Sequence, residues 1–219
     1  MWEIIQNGTE MSCYEPSFVK DGVARLVVEM AKREWPQQWP SFLTELTQLT
    51  QGECKEFQAE IVLLILLRLT EDVAVFQSVD SSRRKDLYQA LTANMGDIFD
   101  FLSQLLQIEV QTFQKYQSDA GDRKLAMLHC RLAQSVLTCV QTHVDWVAIS
   151  HIMAHDGKLL EQLCLLLSVD DLRLPAVECL LQVPHTKMKS TKYICLLLSY
   201  IPFVFFFCGG IGCQSKRPA

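Results

Sequence analysis

No proline occurs between Pro40 and Pro175, a run of 134 residues. Proline costs about 3 kcal/mol in a helix interior, so a run this long without it permits long helices. Glycine interrupts the run only four times. No segment alternates apolar and polar residues for long enough to indicate a strand. The sequence therefore predicts an all-α protein.

Apolar residues recurring at three- and four-residue steps predict seven helices. Pro36 ends the first helix, because a residue before proline avoids helical geometry. Asp80, Ser81 and Ser82 are candidate N-caps for the fourth helix, and Gly96 is a candidate kink within it. The predicted helices are, in order, Phe18 to Trp35, Pro40 to Gly52, Lys55 to Phe76, Ser82 to Tyr116, one beginning near residue 122, one on Leu159–Leu167 and one on Ala176–Leu181.

The apolar positions also predict which side chains form the core. The middle of the third helix, Ile61 to Leu67, is apolar on every side, which is typical of a helix buried between neighbours. The other helices carry one apolar face each. These faces are Val23, Leu26, Val27, Met30 and Ala31; Phe42, Leu43, Leu46 and Leu49; Leu87, Leu91, Met95, Ile98, Leu102 and Leu105; Leu125, Leu128, Leu132, Val136, Cys139 and Val140; Leu159, Leu160, Leu163, Leu166 and Leu167; and Ala176, Val177, Leu180 and Leu181.

Antiparallel helix pairs joined by short turns, repeated in series, favour an α-solenoid of HEAT type. Units of a solenoid bury a core only by stacking on their neighbours. The presumed first helices begin near residues 18, 55 and 122, which is an uneven spacing. Degenerate repeats would produce this pattern, and so would a single closed helix bundle, so the spacing leaves both open.

The chain is acidic overall, with 20 Lys and Arg against 25 Asp and Glu. The last acidic residue is Glu178, so residues 1–178 carry a net charge of −10 and residues 179–219 carry +5. A general nucleic-acid binder is usually basic, and an acidic body instead favours a basic protein surface as its partner.

Two Trp-Pro pairs, Trp35-Pro36 and Trp39-Pro40, lie four residues apart. The prolines restrict the backbone and the indoles supply large apolar surfaces, so the motif predicts a structural corner between two helices. The alternative is a partner-binding hot spot, since an exposed Trp can anchor an interface.

Arg83-Arg84-Lys85 is the one basic cluster in the acidic body. Cations at a helix start are unfavourably placed for the helix dipole, so the cluster is a candidate contact for a partner or for RNA phosphates. The alternative is a solvated helix start, as for most runs of charge.

No constellation of catalytic residues is evident, and the sequence predicts neither an enzyme nor a bound cofactor. His151 with His155, and Cys139 with His143, have the spacing of two metal ligands on one helix face, but neither pair has an evident third ligand. Gly-rich phosphate loops and Gly-x-Ser-x-Gly elbows are missing. The sequence accordingly predicts no metal site and no small-molecule substrate.

Taken together, these segments resemble the exportin-1/importin-β-like region of nuclear transport receptors. The resemblance covers roughly residues 5–182. It is carried by Val27-Val28-Glu29-Met30 and the Trp-Pro pairs, Phe57–Phe76, Arg83-Arg84-Lys85-Asp86, Asn94-Met95, Asp145-Trp146-Val147, Leu159–Leu167 and Ala176-Val177-Glu178-Cys179-Leu180-Leu181.

The resemblance implies a segment of a right-handed HEAT-repeat superhelix without enzyme activity. It also implies export from the nucleus with Ran in its GTP form, a receptor that shuttles between nucleus and cytoplasm, and nucleoporins as further contacts. Within the family it points to receptors that carry double-stranded RNA hairpins, such as microRNA precursors, and proteins. Such receptors are several times longer than 219 residues, so this chain alone is expected to lack full export activity.

After Gln182 the sequence departs from the family. We therefore expect an irregular lead over residues 1–17, a HEAT-repeat segment over 18–182 and a divergent apolar, basic tail over 183–219. Tyr193–Gly212 holds 20 residues without charge, enough to span a bilayer, which leaves a tail-anchored membrane protein as the alternative. The favoured interpretation is a tail outside the solenoid.

Overall fold

The structure is a computed structural model that describes residues 16–51, 55–75, 79–118 and 122–185. Those residues form nine α-helices and contain no strand, which confirms the all-α prediction. The helices are α1 (Ser17–Glu34), α2 (Phe42–Gln48), α3 (Glu56–Thr70, continued by a π-helical turn over Glu71–Val75), α4 (Ser81–Ala93), α5 (Met95–Ser118), α6 (Arg123–Val144), α7 (Ile149–Ile152), α8 (Ala154–Leu166) and α9 (Asp170–His185).

One row of helices, called the front row here, consists of α1, α3, α6 and α9. Ion pairs of Lys20 with Glu60 and of Lys32 with Asp72 join α1 to α3 in the same order along both helices, so the two run parallel. The Gln134 side chain contacts the start of α9, and the Leu137 carbonyl contacts Cys179 further along it, so α6 and α9 are parallel too. Thr70 contacts His143 near the ends of α3 and α6.

A second row, the back row, consists of α2, α5 and α8. Two contacts, Asp100 with His155 and Ser103 with Gln162, join α5 to α8 in the same order. Helix α5 packs antiparallel on α6, because Phe99 near the start of α5 meets His143 near the end of α6, and Tyr116 near the end of α5 meets His129. The two rows thus stack helix pairs side by side, as in an α-solenoid, and the closed bundle is wrong. The predicted starts near 18, 55 and 122 match those of three front-row helices, α1, α3 and α6.

The core lies between the rows and follows most of the predicted faces. From Ile61 to Leu66 every side chain except the half-buried Leu64 is at most 3% exposed. The predicted face of the fourth helix is also buried throughout, from Leu87 to Leu105. Burial on this scale is the main favourable contribution to the stability of the fold.

Three predicted core positions are wrong, because Leu26, Leu125 and Leu181 are exposed. The other predicted positions of these three helices are buried or half-buried, and the core also includes neighbouring residues outside the predicted faces. Helix α1 buries Ala24 and Val28, so the small Ala24 takes a place that the pattern gave to larger residues. The other two helices bury Ala126, His129 and Cys130 in α6 and Leu172, Ala176 and Cys179 in α9.

The fourth predicted helix is two helices that meet at Asn94, not one helix kinked at Gly96. The Asn94 side chain donates a hydrogen bond to the Ala90 carbonyl at 2.8 Å, which closes the end of α4. Its own carbonyl accepts from the Ile98 N–H at 3.1 Å and begins α5. Local side-chain bonding of this kind competes with helix continuation. Gly96 lies within α5.

The second predicted helix is shorter than expected. Pro40 lies in the turn before α2, whose N-cap is Ser41, instead of in its first turn, and α2 ends at Gln48. Gly52 lies outside the described residues. Asp80 is the N-cap of α4, where its carboxylate accepts from the Ser82 N–H at 3.2 Å, as the sequence predicted for this stretch.

Pro175 lies inside α9, where it cannot donate a hydrogen bond to the Asp171 carbonyl four residues earlier. The Gln134 amide of α6 donates to this carbonyl instead, at 3.0 Å. A side chain from the neighbouring front-row helix thus replaces the missing backbone donor. A side chain also replaces a backbone donor lost to proline at the Trp-Pro corner, as described below.

Helix α9 continues past Gln182 to His185. The rest of the predicted tail, including Tyr193–Gly212, and the lead up to residue 15 lie outside the described residues, so the division into three segments stays a prediction. No helix within the described ranges is long and apolar enough to cross a bilayer.

Candidate functional site

The Trp-Pro motif forms the turn between α1 and α2. Trp35 is 1% exposed and packs against Phe42, with 5.9 Å between ring centroids. Trp39 is half-buried and meets the edge of the same Phe42 ring at 4.9 Å. Both indoles therefore pack on the first residue of α2, Trp35 with its ring tilted and Trp39 edge-on, which is an arrangement that aromatic pairs favour.

The polar end of Trp39 is satisfied within the corner. Its indole N–H donates to the Glu45 carboxylate at 3.1 Å, and the Ser41 hydroxyl donates to the same carboxylate. Pro36 is half-buried and Pro40 is exposed. The corner thus turns its largest apolar surface inward, and its exposed surface consists mainly of Gln37, Gln38 and Pro40.

Arg83 connects α4 to this corner. Its Nε donates to the Lys32 carbonyl at 2.7 Å, its Nη1 donates to the Gln37 side chain at 2.6 Å, and its Nη2 donates to the Trp35 carbonyl. Pro36 has no N–H for the Lys32 carbonyl, four residues before it. Arg83 supplies that missing donor, so the proline and the arginine act as a pair.

The basic cluster is therefore divided between two environments. All three guanidinium nitrogens of Arg83 are engaged in the corner, whereas Arg84 is half-buried and Lys85 is exposed. Sequence reasoning named Arg83 but missed its partners. The sequence does show that Pro36 leaves the Lys32 carbonyl without a backbone donor. It does not show which side chain provides the donor instead. A partner or RNA contact at this cluster stays a prediction that falls on Arg84 and Lys85.

Replacing Arg83 with methionine is expected to lower the free energy of unfolding by about 1–3 kcal/mol, because carbonyls of α1 lose their donors while the apolar stem is kept. Chemical denaturation followed by circular dichroism measures this loss. Lys85→Met is the matched control and should stay within about 0.5 kcal/mol of wild type, as exposed substitutions usually do. Equal losses in the two variants would contradict the capping role.

The residue pairs with metal-ligand spacing are not brought together as sites. His155, Asp156 and Gly157 have positive φ angles of 51°, 57° and 81°, so the segment after His151 does not continue as a regular helix. The ring of His155 contacts Asp100 at 3.2 Å. No group of three or more His, Cys, Asp or Glu side chains in the described ranges could hold a metal ion.

The second pair, Cys139 and His143, is buried in the core. His143 Nδ1 donates to the Cys139 carbonyl at 2.7 Å, which leaves Nε2 to accept from the Thr70 hydroxyl at 3.0 Å. Burial lowers the pKa of His143 to about 4 and raises the pKa of the Cys139 thiol. The neutral ring therefore links α6 to α3, and the protonated thiol is a poor metal ligand.

A model of the exportin 1-like protein family matches residues 16–180. Human exportin-5 is 47% identical over 188 residues, and mouse exportin-5 is 46% identical over 188 residues. Protein HASTY 1 of Arabidopsis thaliana is 31% identical over 176 residues, or 78% of this chain. The two mammalian matches cover 85% of this chain but only 15% of each relative, so the chain spans a small part of the length of these proteins.

Proposed function

This chain belongs to the exportin 1-like family of nuclear transport receptors, and from that premise we propose that it acts as a segment of a receptor for nuclear export. The observation that carries the proposal is the 47% identity to human exportin-5 over 85% of the chain. A segment of this kind works by binding, without a catalytic step.

The proposed partners are Ran in its GTP form together with a cargo. The cargo is double-stranded RNA hairpins, such as microRNA precursors, and proteins, and the receptor shuttles between nucleus and cytoplasm with nucleoporins as further contacts. These partners follow from the resemblance. The acidic body supports basic protein surfaces as partners, because opposite charges favour encounter and orientation.

Within this segment the Trp-Pro corner is proposed as a structural element that sets the angle between α1 and α2. Its support is the burial of Trp35 and the three hydrogen bonds from Arg83. Arg84 and Lys85 are the proposed candidates for a phosphate contact, since neither takes part in the Arg83 hydrogen bonds to the corner. A phosphate contact positions RNA without reading its sequence.

The isolated chain is expected to bind Ran or hairpin RNA weakly or not at all, because its match covers only 15% of human exportin-5. Pull-down with Ran in its GTP or GDP form, with and without a hairpin RNA, measures this. Tight binding that requires GTP would contradict the expected weakness.

A graft separates weak binding from a wrong function. Residues 16–180 of this chain, the part that the family model matches, replace the corresponding segment of full-length human exportin-5. If the proposed function is right, the chimera keeps GTP-dependent assembly with Ran and hairpin RNA. A chimera that folds, as shown by its thermal melt, but does not assemble would contradict the proposal. A graft carrying Arg84→Ala and Lys85→Ala tests the phosphate contact separately.

A further inference from the structure

A groove of about 650 Å³ opens between the end of α5, the first half of α6 and the start of α9. It is distinct from the Trp-Pro corner, which lies at the other end of the front row. Aromatic, apolar and charged side chains together line it. Those that matter here are Tyr116, Arg123, Met127, Cys130, Arg131 and Asp171.

Two cations in this lining have no ion-pair partner within the part of the chain that the structure describes. Arg123 and Arg131 are exposed, and neither has a carboxylate within 4 Å among the residues that the structure describes. The nearby Glu60, which borders a neighbouring cavity with Arg131, is already paired with Lys20. In a body of net charge −10, two unpaired arginines beside one groove form a local positive surface.

The spacing of these arginines fits a second helix. Arg123, Met127 and Arg131 follow each other at four-residue steps, so they lie on one side of α6. The two arginines are about 12 Å apart along the axis, from eight residues at 1.5 Å each. Met127 lies between them and is 59% exposed, so its apolar side chain is available to a partner. An apolar residue flanked by two carboxylates would complement this pattern.

Asp171 decides between a protein and a nucleic acid. It lines the same groove, and its carbonyl accepts from Gln134, three residues beyond Arg131, so it lies past the second arginine. A phosphate backbone is negative throughout and would repel the Asp171 carboxylate. A peptide can place a lysine there while presenting carboxylates to the arginines. The exposed Met127 likewise favours a partner with apolar side chains.

We propose that this groove binds an amphipathic helical segment of a partner protein, in which two carboxylates lie eight residues apart on either side of an apolar residue. The carboxylates meet Arg123 and Arg131, the apolar residue covers Met127 against Tyr116, and a basic residue one turn further on meets Asp171. Binding of such a helix to this groove does not depend on the proposed export function.

The probe is a fluorescent 14-residue helical peptide with Glu, Leu, Glu and Lys at positions 1, 5, 9 and 12. Fluorescence anisotropy with the full chain should show saturable binding that weakens as salt rises, because salt screens exposed charges. Arg123→Glu with Arg131→Glu should raise the Kd by about tenfold or more, as expected for repulsion that replaces two charge pairs. Met127→Asp alone should weaken binding as well.

Two controls make the result specific. Arg33→Glu with Lys158→Glu changes the net charge equally at exposed sites away from the groove, and it should leave the Kd unchanged. A peptide with each Glu and Lys exchanged should bind at least about tenfold more weakly. Thermal melts establish that every variant is folded.

The proposal is overturned if the peptide shows no saturable binding, or if the groove variant and the control variant bind it equally. It is also overturned if a hairpin RNA displaces the peptide and loses binding through the same two groove substitutions. That last outcome would assign the groove to nucleic acid.

Discussion

Replacing Trp35 with alanine is expected to lower the free energy of unfolding by about 3–5 kcal/mol, the usual loss for a large aromatic side chain removed from a core. Trp35 is 1% exposed and packs on Phe42, so its removal leaves a cavity between α1 and α2. The Trp35 carbonyl also accepts from Arg83, so a shift of the corner would disturb this contact too. Chemical denaturation followed by circular dichroism measures the loss.

The matched control is Phe18→Ala on the same helix. Phe18 is 75% exposed, so its removal should change the unfolding free energy by no more than about 0.5 kcal/mol. Solenoid units are stabilised mainly by their nearest neighbours. The Trp35→Ala substitution should therefore speed amide hydrogen exchange in α1 and α2 more than in the distant α9. A loss below about 1 kcal/mol would contradict the structural role of the corner and favour the partner hot spot.

Most helix positions could be predicted from the sequence, because they depend on local apolar spacing. The same spacing did not distinguish a solenoid from a closed bundle, and only the packing of the helices in two rows decides between them. Most of the apolar centre of α3 is buried, with Leu64 and Leu67 half-buried, and three front-row helices begin within one residue of where the pattern placed them. A proline-free run of this length leaves few alternatives to long helices. The family resemblance rests on the same segments.

Helix faces were less predictable where small residues form the contact. Helix α1 buries Ala24 at 0% exposure while Leu26 stays 59% exposed. A hydrophobic pattern favours the larger residue, whereas close packing of α1 on α3 requires the smaller one. Which face is buried depends on the neighbouring helix, and a single helical segment does not contain that information.

The polar contacts between helices were the least predictable part of the candidate site. Pro36 and Pro175 each leave a carbonyl without a backbone donor, and a side chain 51 or 37 residues away in sequence supplies one. The sequence shows that a donor is required at both places. Only the packing of α4 and α6 identifies Arg83 and Gln134 as the donors. Proline positions can thus indicate where long-range capping side chains are needed.

The stability of the protein is expected to fall by about 3 kcal/mol between pH 6.5 and pH 4 because of His143 alone. Burial lowers the pKa of this ring to about 4 in the folded protein, against about 6.5 for an unperturbed histidine. Between these values the unfolded chain takes up a proton that the folded protein does not. Proton uptake therefore stabilises the unfolded state relative to the folded state as the pH falls, and the full stability of the folded protein is reached only above pH 6.5.

The test replaces His143 with glutamine, which cannot take up a proton in this range and can still accept a hydrogen bond from Thr70. Unfolding free energies of the wild type and the variant are measured from pH 4 to pH 7. The variant should lose much of the pH dependence, and it should also be less stable at pH 7 because the fit to the Cys139 carbonyl changes.

Parallel pH profiles for the wild type and His143→Gln would contradict this account of the buried ring. They would mean that the folded protein accepts the proton at His143, by admitting water between α3 and α6 or by rearranging the Thr70 contact. Amide hydrogen exchange in α6 at pH 5 distinguishes these explanations from a ring that stays neutral. If the ring stays neutral, the α6 amides beside Cys139 should remain protected from exchange, because α3 and α6 stay together through the Thr70 contact.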